Sequence, residues 1–111
     1  HHGAIAVPAH PGRAGIGLAN YIEQGETFDG LTIVERLNGG SRPGENELAV
    51  ELCDNQGYLG IGGSDAHMTS HIGVCLTRFP GDVSNELELV QALESGEFQP
   101  VRLEETATPA P

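Results

Sequence analysis

Along the chain, short unbroken apolar runs alternate with stripes of helical spacing. Ala4-Ile5-Ala6-Val7 is a compact β-prone run that ends at Pro8 and predicts a buried strand followed by a loop. Leu18, Tyr21 and Ile22 stand at i, i+3 and i+4, which predicts a short helix over 18–24 stopped by Gly25. Leu31 to Leu37 predicts a second strand, closed by the glycine- and proline-bearing stretch that follows. From Glu45 to Asn55, Leu48, Ala49, Leu52 and Cys53 share one helical face, and Gly57 supplies a stop. Tyr58–Ile61 and Ile72–Leu76 predict two further short strands. Ser84 or Asn85 can cap the next helix, Asn85 having capping-box spacing to Glu88; its stripe is Leu87, Val90 and Leu93, with Gly96 at its C-terminal cap. The last residues, 104–111, are polar and proline-bearing and predict a flexible tail.

The resulting order, β-α-β-α-β-β-α, predicts an α/β domain over residues 3–103: a mostly parallel sheet with covering helices. His1 and His2 read as a tag remnant or the end of a truncated helix. Folds of this class collect their chemistry beyond the carboxyl ends of parallel strands. Three polar loops follow their strands directly: Ala9 to Arg13, Glu35 to Gly40, and Gly62 to His67. A parallel arrangement opens all three on one face.

Composition narrows what such a face can bind. The 111 residues suit one small domain. Sixteen acidic residues stand against five arginines and no lysine, for a net charge of −11. That field repels polyphosphate backbones and excludes a groove for long nucleic acids. A small phosphorylated substrate stays compatible if bound divalent cations invert the local field. Cys53 and Cys75 are too few for a disulfide framework and read as reduced packing thiols, which predicts a cytoplasmic protein. No apolar run approaches membrane-spanning length, so no membrane partner is expected.

Within the three loops, certain residue types stand out. His10 lies between Pro8 and Pro11 on a stiff loop, where it is either a metal ligand or base, or an ordinary turn histidine. Asp65 and His67 are two residues apart, and in an extended segment they would point to one side as half of a Zn²⁺, Mn²⁺ or Fe²⁺ site. The alternative is a surface turn. Glu35 sits in an apolar strand, which is costly unless it faces solvent or a polar site. With Asn38 it reads as a weak substrate-side candidate. Arg13 could grip a phosphate by its planar fork or pair with a nearby carboxylate. His71 reads as exposed. Ser64, Cys53 and Cys75 lack the contexts of nucleophiles, and there is no phosphate-binding loop of the Walker or dinucleotide type.

Taken in order, "AIAVPAHPGR", "IVERLNG" and "GGSDAH" resemble the C-terminal half of the PHP family, named for polymerase and histidinol phosphatase. The stretch from Leu31 to Thr77 resembles its PHP-associated region. The resemblance implies a distorted (β/α)₇ barrel that hydrolyses phosphoesters with two or three Zn, Mn or Fe ions and a metal-activated water. It places His10, Asp65 and His67 among the metal ligands and Arg13, Glu35 and Asn38 near the substrate. The family's initial H-x-H and its middle Glu and His ligands have no counterpart here, and four strands cannot close seven-stranded walls. The expectation is therefore a piece of a barrel, inactive alone, completed by a missing N-terminal half or by another copy of the chain. The alternatives are a non-catalytic interaction domain and a metal-dependent amide hydrolase.

Overall fold

A computed structural model describes residues 3–106; His1, His2 and most of the expected tail lie outside the described residues. The elements are α1 (Leu18–Glu23), β1 (Ile33–Asn38), α2 (Glu45–Gln56), β2 (Leu59–Gly63), β3 (Cys75–Arg78), α3 (Glu86–Ser95), β4 (Gln99–Arg102) and α4 (Leu103–Thr106), with one 3₁₀ turn at Thr69–His71. The chain is a small mixed α/β domain.

β1, α2 and β2 form a β-α-β unit in which β1 and β2 pair in parallel, Ile33 opposite Leu59 and Asn38 opposite Gly63. The consecutive residues Ile33 and Val34 are both buried, as expected of a strand covered on both faces. The register slips between Glu35 and Leu37, so Arg36 bulges and its guanidinium reaches Asp54 at 3.2 Å. Helix α2 lays Ala49, Leu52 and Cys53 into the core, while Leu48, expected on the same face, stays 41% exposed.

The expected predominance of parallel pairing does not hold. β3 and β4 form a separate antiparallel pair, Cys75 opposite Arg102 and Arg78 opposite Gln99. β4 had no legible signal because Pro100 interrupts it; a proline is tolerated there since the strand is short and lies at an edge. The Ala4–Val7 run forms no strand either. A single backbone bond, Glu35 N–H to the Pro8 carbonyl at 3.0 Å, fastens the end of this segment to β1. The fourth predicted strand begins late, at Cys75, because Gly73 has φ +83°. No barrel, closed or partial, is formed by the described residues.

The two strand pairs meet through a glycine and a hydroxyl. A Cβ at Gly62 would collide with the Leu76 carbonyl, so only glycine lets β2 approach β3 this closely. The Thr77 hydroxyl accepts the Gly62 N–H at 3.0 Å and donates to the Gly62 carbonyl at 2.8 Å. Ser64 continues the seam, its hydroxyl accepting the Gly73 N–H at 2.8 Å and donating to the Cys75 carbonyl at 3.1 Å. Helix α3 is capped as its sequence predicts, Asn85 Oδ1 accepting the Glu88 N–H at 2.9 Å, yet none of its residues is buried and Leu87 is 67% exposed.

Candidate functional site

The carboxyl ends of β1 and β2 lie side by side, and the Gly39 N–H extends their ladder to the Gly63 carbonyl at 2.9 Å. The residues singled out in the sequence gather around this rim in two linked groups.

Glu35 organises the first. Its Oε1 accepts the His10 backbone N–H at 2.8 Å and the Asn38 side-chain amide at 2.7 Å. The carboxylate that looked expensive in an apolar strand is thus satisfied by a loop and by its own strand end. Asn38 is almost fully buried, and its Oδ1 accepts the Gly40 N–H at 2.8 Å. Asn46 of α2 grips the main chain of Asn38 on both sides, accepting its N–H at 3.0 Å and donating to its carbonyl at 2.9 Å. The amide takes the place of another strand's peptide group. Glu35 and Asn38 therefore position the loop that carries His10. The His10 ring itself keeps a buried Nδ1 without a hydrogen-bond partner.

Arg13 organises the second. Its Nη2 donates to Asp65 Oδ2 at 3.3 Å, and its Nε lies 3.3 Å from Glu45 Oε1. Of the two roles open to Arg13, pairing with local carboxylates is the one in place. Glu45, at the start of α2, is buried and also accepts the Ala14 N–H at 3.0 Å and the Arg42 N–H at 2.9 Å. Those two backbone bonds, with help from Arg13, hold its carboxyl below the ordinary value despite burial. A Cβ at Gly12 would collide with the Glu45 carbonyl, so the His10–Arg13 loop is pressed onto the helix start. Glu45 and Asn46 were not expected at the site. The signal for Glu45 was its place three residues after Arg42, the spacing at which an acid reaches back to a free N–H.

Asp65 and His67 do not lie on an extended segment. Asp65 has φ +51°, a left-handed conformation that aspartate tolerates better than most residues. Its side chain is about a quarter exposed, whereas that of His67 is 83% exposed. The two still interact: His67 Nδ1 is 2.9 Å from the Asp65 carbonyl and 3.9 Å from Oδ1. A proton on Nδ1 makes the first contact a hydrogen bond and leaves Nε2 as the ring's lone-pair donor, the arrangement common for metal-ligating histidines. His71 is exposed in the 3₁₀ turn, as expected. Cys53 and Cys75 are both buried, and burial pushes the Cys53 thiol up, which favours packing over nucleophilic chemistry.

Among the described residues, the non-glycine residues with positive φ are His10, at +29°, and Asp65. For His10 this runs against the extended backbone that a following proline imposes. Strain of this kind persists only where surrounding contacts enforce it, and it concentrates at functional sites. Imidazole and carboxylate donors suit a divalent ion in kind. In number they fall short: no three His, Cys, Asp or Glu side chains among the described residues converge on a point where an ion could sit. The rim is not a metal centre on its own.

A family model described as PHP-associated matches residues 43–98, half of the chain. The chain belongs to this PHP-associated family. The match takes in α2, β2, Asp65, His67, β3 and α3, and begins after His10, Arg13, Glu35 and Asn38. No curated protein and no solved structure matches the chain. No helix among the described residues is long and apolar enough to cross a membrane.

Proposed function

We propose that this chain is the C-terminal portion of a metal-dependent phosphoesterase acting on small phosphorylated molecules or nucleotides. The observation that carries the reading is the coincidence of strain and chemistry: His10 and Asp65 have positive φ, and both are fastened to the carboxyl-end rim of the parallel pair. The family match supports the same reading. In the parent protein, His10, Asp65 and His67 supply part of a ligand set for Zn, Mn or Fe, and a missing N-terminal half supplies the rest. Bound ions would generate hydroxide from water near neutral pH and neutralise phosphoryl oxygens. In the parent protein the β-α-β unit would form part of a distorted barrel wall. The chain alone lacks enough ligands for activity, and its buried thiols suit the cytoplasm.

The parent protein with Asp65→Ala tests this, using a chromogenic aryl phosphate and elemental analysis for Zn, Mn and Fe. The expected result is a loss of hydrolysis of about 100-fold or more, together with a drop in bound metal. Undiminished hydrolysis would remove Asp65 from the site.

A second reading, a non-catalytic interaction domain, is favoured by one observation: Asp65 is already neutralised by Arg13. A parent protein that purifies without metal and tolerates chelator without loss of fold would support it. In that case a second copy or another chain would cover α3.

A further inference from the structure

We propose that Asn38–Gly39 is a covalent modification site: a deamidation site that the fold holds shut, and whose conversion to aspartate releases the His10 loop from the rim. The inference concerns the polar network of the rim and does not depend on the phosphoesterase reading.

Of the chain's five asparagines, Asn38 alone is followed by glycine. In that pair nothing hinders the following main-chain nitrogen, because glycine has no side chain and turns freely. The Gly39 nitrogen attacks the Asn38 Cγ, the Cγ–Nδ2 bond breaks, and ammonia departs to leave a succinimide ring. Water then opens the ring at either carbonyl, giving aspartate or isoaspartate; the sum is amide plus water to acid plus ammonia. The fold cannot dispense with either residue. A Cβ at Gly39 would lie 2.6 Å from both the Ser64 carbonyl oxygen and Val74 Cγ2, so glycine is required there. Asn38 both donates to Glu35 and accepts from Gly40, which a carboxamide can do and a carboxylate cannot.

Three sets of contacts keep the reaction shut in the folded chain. The Gly39 N–H is engaged by the Gly63 carbonyl at 2.9 Å, which ties the attacking nitrogen into the β1–β2 ladder. Asn38 Nδ2 and Oδ1 are both bonded, which stops the carboxamide from turning toward that nitrogen. Asn46 clamps the Asn38 N–H and carbonyl, at 3.0 and 2.9 Å, and fixes the main chain on both sides. Asn38 is also only 3% exposed, which keeps out water. Reaction therefore proceeds through opened molecules. The product does not close again as before. Aspartate at position 38 sets an acceptor-only oxygen where Nδ2 donated, 2.7 Å from Glu35 Oε1, the same oxygen that holds the His10 N–H. Isoaspartate adds a carbon to the main chain and breaks the pairing of Asn38 with Gly63.

The first test follows the peptide containing Asn38 by mass spectrometry in warm, mildly alkaline buffer, for the folded wild type, the wild type in urea, and Asn46→Ala. The folded wild type is expected to convert at least about 100-fold more slowly than in urea, and Asn46→Ala about tenfold faster than the folded wild type. Equal rates in the folded and urea-treated wild type overturn the proposal, as does an Asn46→Ala rate equal to the wild type. If circular dichroism shows Asn46→Ala unfolded, Asn46→Asp replaces it, keeping the acceptor and losing the donor; a gain of about threefold is expected, and no gain overturns the clamp. The second test reads hydrogen exchange at the His10 N–H in Asn38→Asp, with the Tyr58 N–H, bonded to the Cys53 carbonyl, as reference. His10 exchange is expected to rise about tenfold relative to Tyr58. Adding Glu35→Gln should slow it again, because a neutral carboxamide can offer an N–H to the new carboxylate. Equal acceleration at both amides means a general loss of stability and overturns the release of His10, as does failure of Glu35→Gln to slow the exchange. If Asn38→Asp does not fold, refolding in the double variant becomes the expected result, and an unfolded double variant overturns the proposal.

Discussion

The two ends of the β1–β2 pair are built on opposite plans. At the carboxyl end, nearly every polar group near the strands has a named partner: Glu35 with His10 and Asn38, Asn38 with Asn46 and Gly40, Arg13 with Asp65 and Glu45. Backbone segments approach so closely that a methyl group at Gly12 has no room. At the amino end the pair opens on a cavity of ≈790 Å³ whose lining includes Ile5, Phe28, Leu31, Leu59 and Leu93. Several of these apolar residues remain partly in water; Leu59 is 42% exposed and Phe28 40%. Volume alone would favour the second region as the binding site. Chemistry favours the first, because the cavity offers little beyond apolar surface while the rim holds imidazole, carboxylate and guanidinium groups under backbone strain. The difference teaches that in this small domain the most ordered polar contacts and the chemistry-bearing side chains coincide, and that loose packing is left where another surface could cover it.

The comparison can be broken most sharply at Gly12. Gly12→Ala forces a methyl group against the Glu45 carbonyl and must push the His10–Arg13 loop off α2. The expected cost is about 2–3 kcal/mol, measured by urea denaturation. A loss below half a kcal/mol would mean the loop is not pressed onto the helix as described.

An intermediate effect is expected from acid. The folded state holds the Glu45 carboxyl below its ordinary value, chiefly through the Ala14 and Arg42 N–H groups. A depressed acid contributes stability that is fully present above its unfolded value, near 4.5, and is lost as pH falls through the lower folded value. Urea midpoints should therefore change little on this account from neutral pH to about 5 and fall below it. In Glu45→Gln the acid-side fall should be shallower. Identical slopes in the two proteins would show that Glu45 is not the group responsible.

The smallest effect belongs to the open end. Leu59→Gln lies in the cavity lining at a side chain already 42% exposed, and is expected to shift stability by about 1 kcal/mol or less. A loss of several kcal/mol in the same urea assay would show the cavity to be a packed core, and the contrast between the two ends would vanish.

Much of this was legible in the chain. Helices α1, α2 and α3 fall close to where their stripes and stops place them, and Asn85 caps α3 as its spacing predicts. β1 and β2 pair in parallel through a helical crossover, which brings the Glu35–Gly40 and Gly62–His67 loops to one end. The antiparallel β4 was not legible, since a four-residue strand containing proline carries no periodic signal. Nor was the conformation of Asp65. Reading Asp65 and His67 as neighbours on an extended segment gave the right association for the wrong geometry, because the glycine-led turn bends the chain and leaves His67 in solvent.

By itself, then, the sequence determined the local elements, the acidic field and the residue types available for chemistry, because periodicity, caps and charge depend on neighbours a few positions apart. Only the tertiary structure decided which of them are committed to one another. That Arg13 spends its charge on Asp65 and Glu45, and that His10 hangs from Glu35 by its backbone, depends on contacts between residues 25 to 52 positions apart. Such pairings arise from the close approach that glycine permits and from the need of every buried polar group for a partner, and neither constraint names its partner in advance.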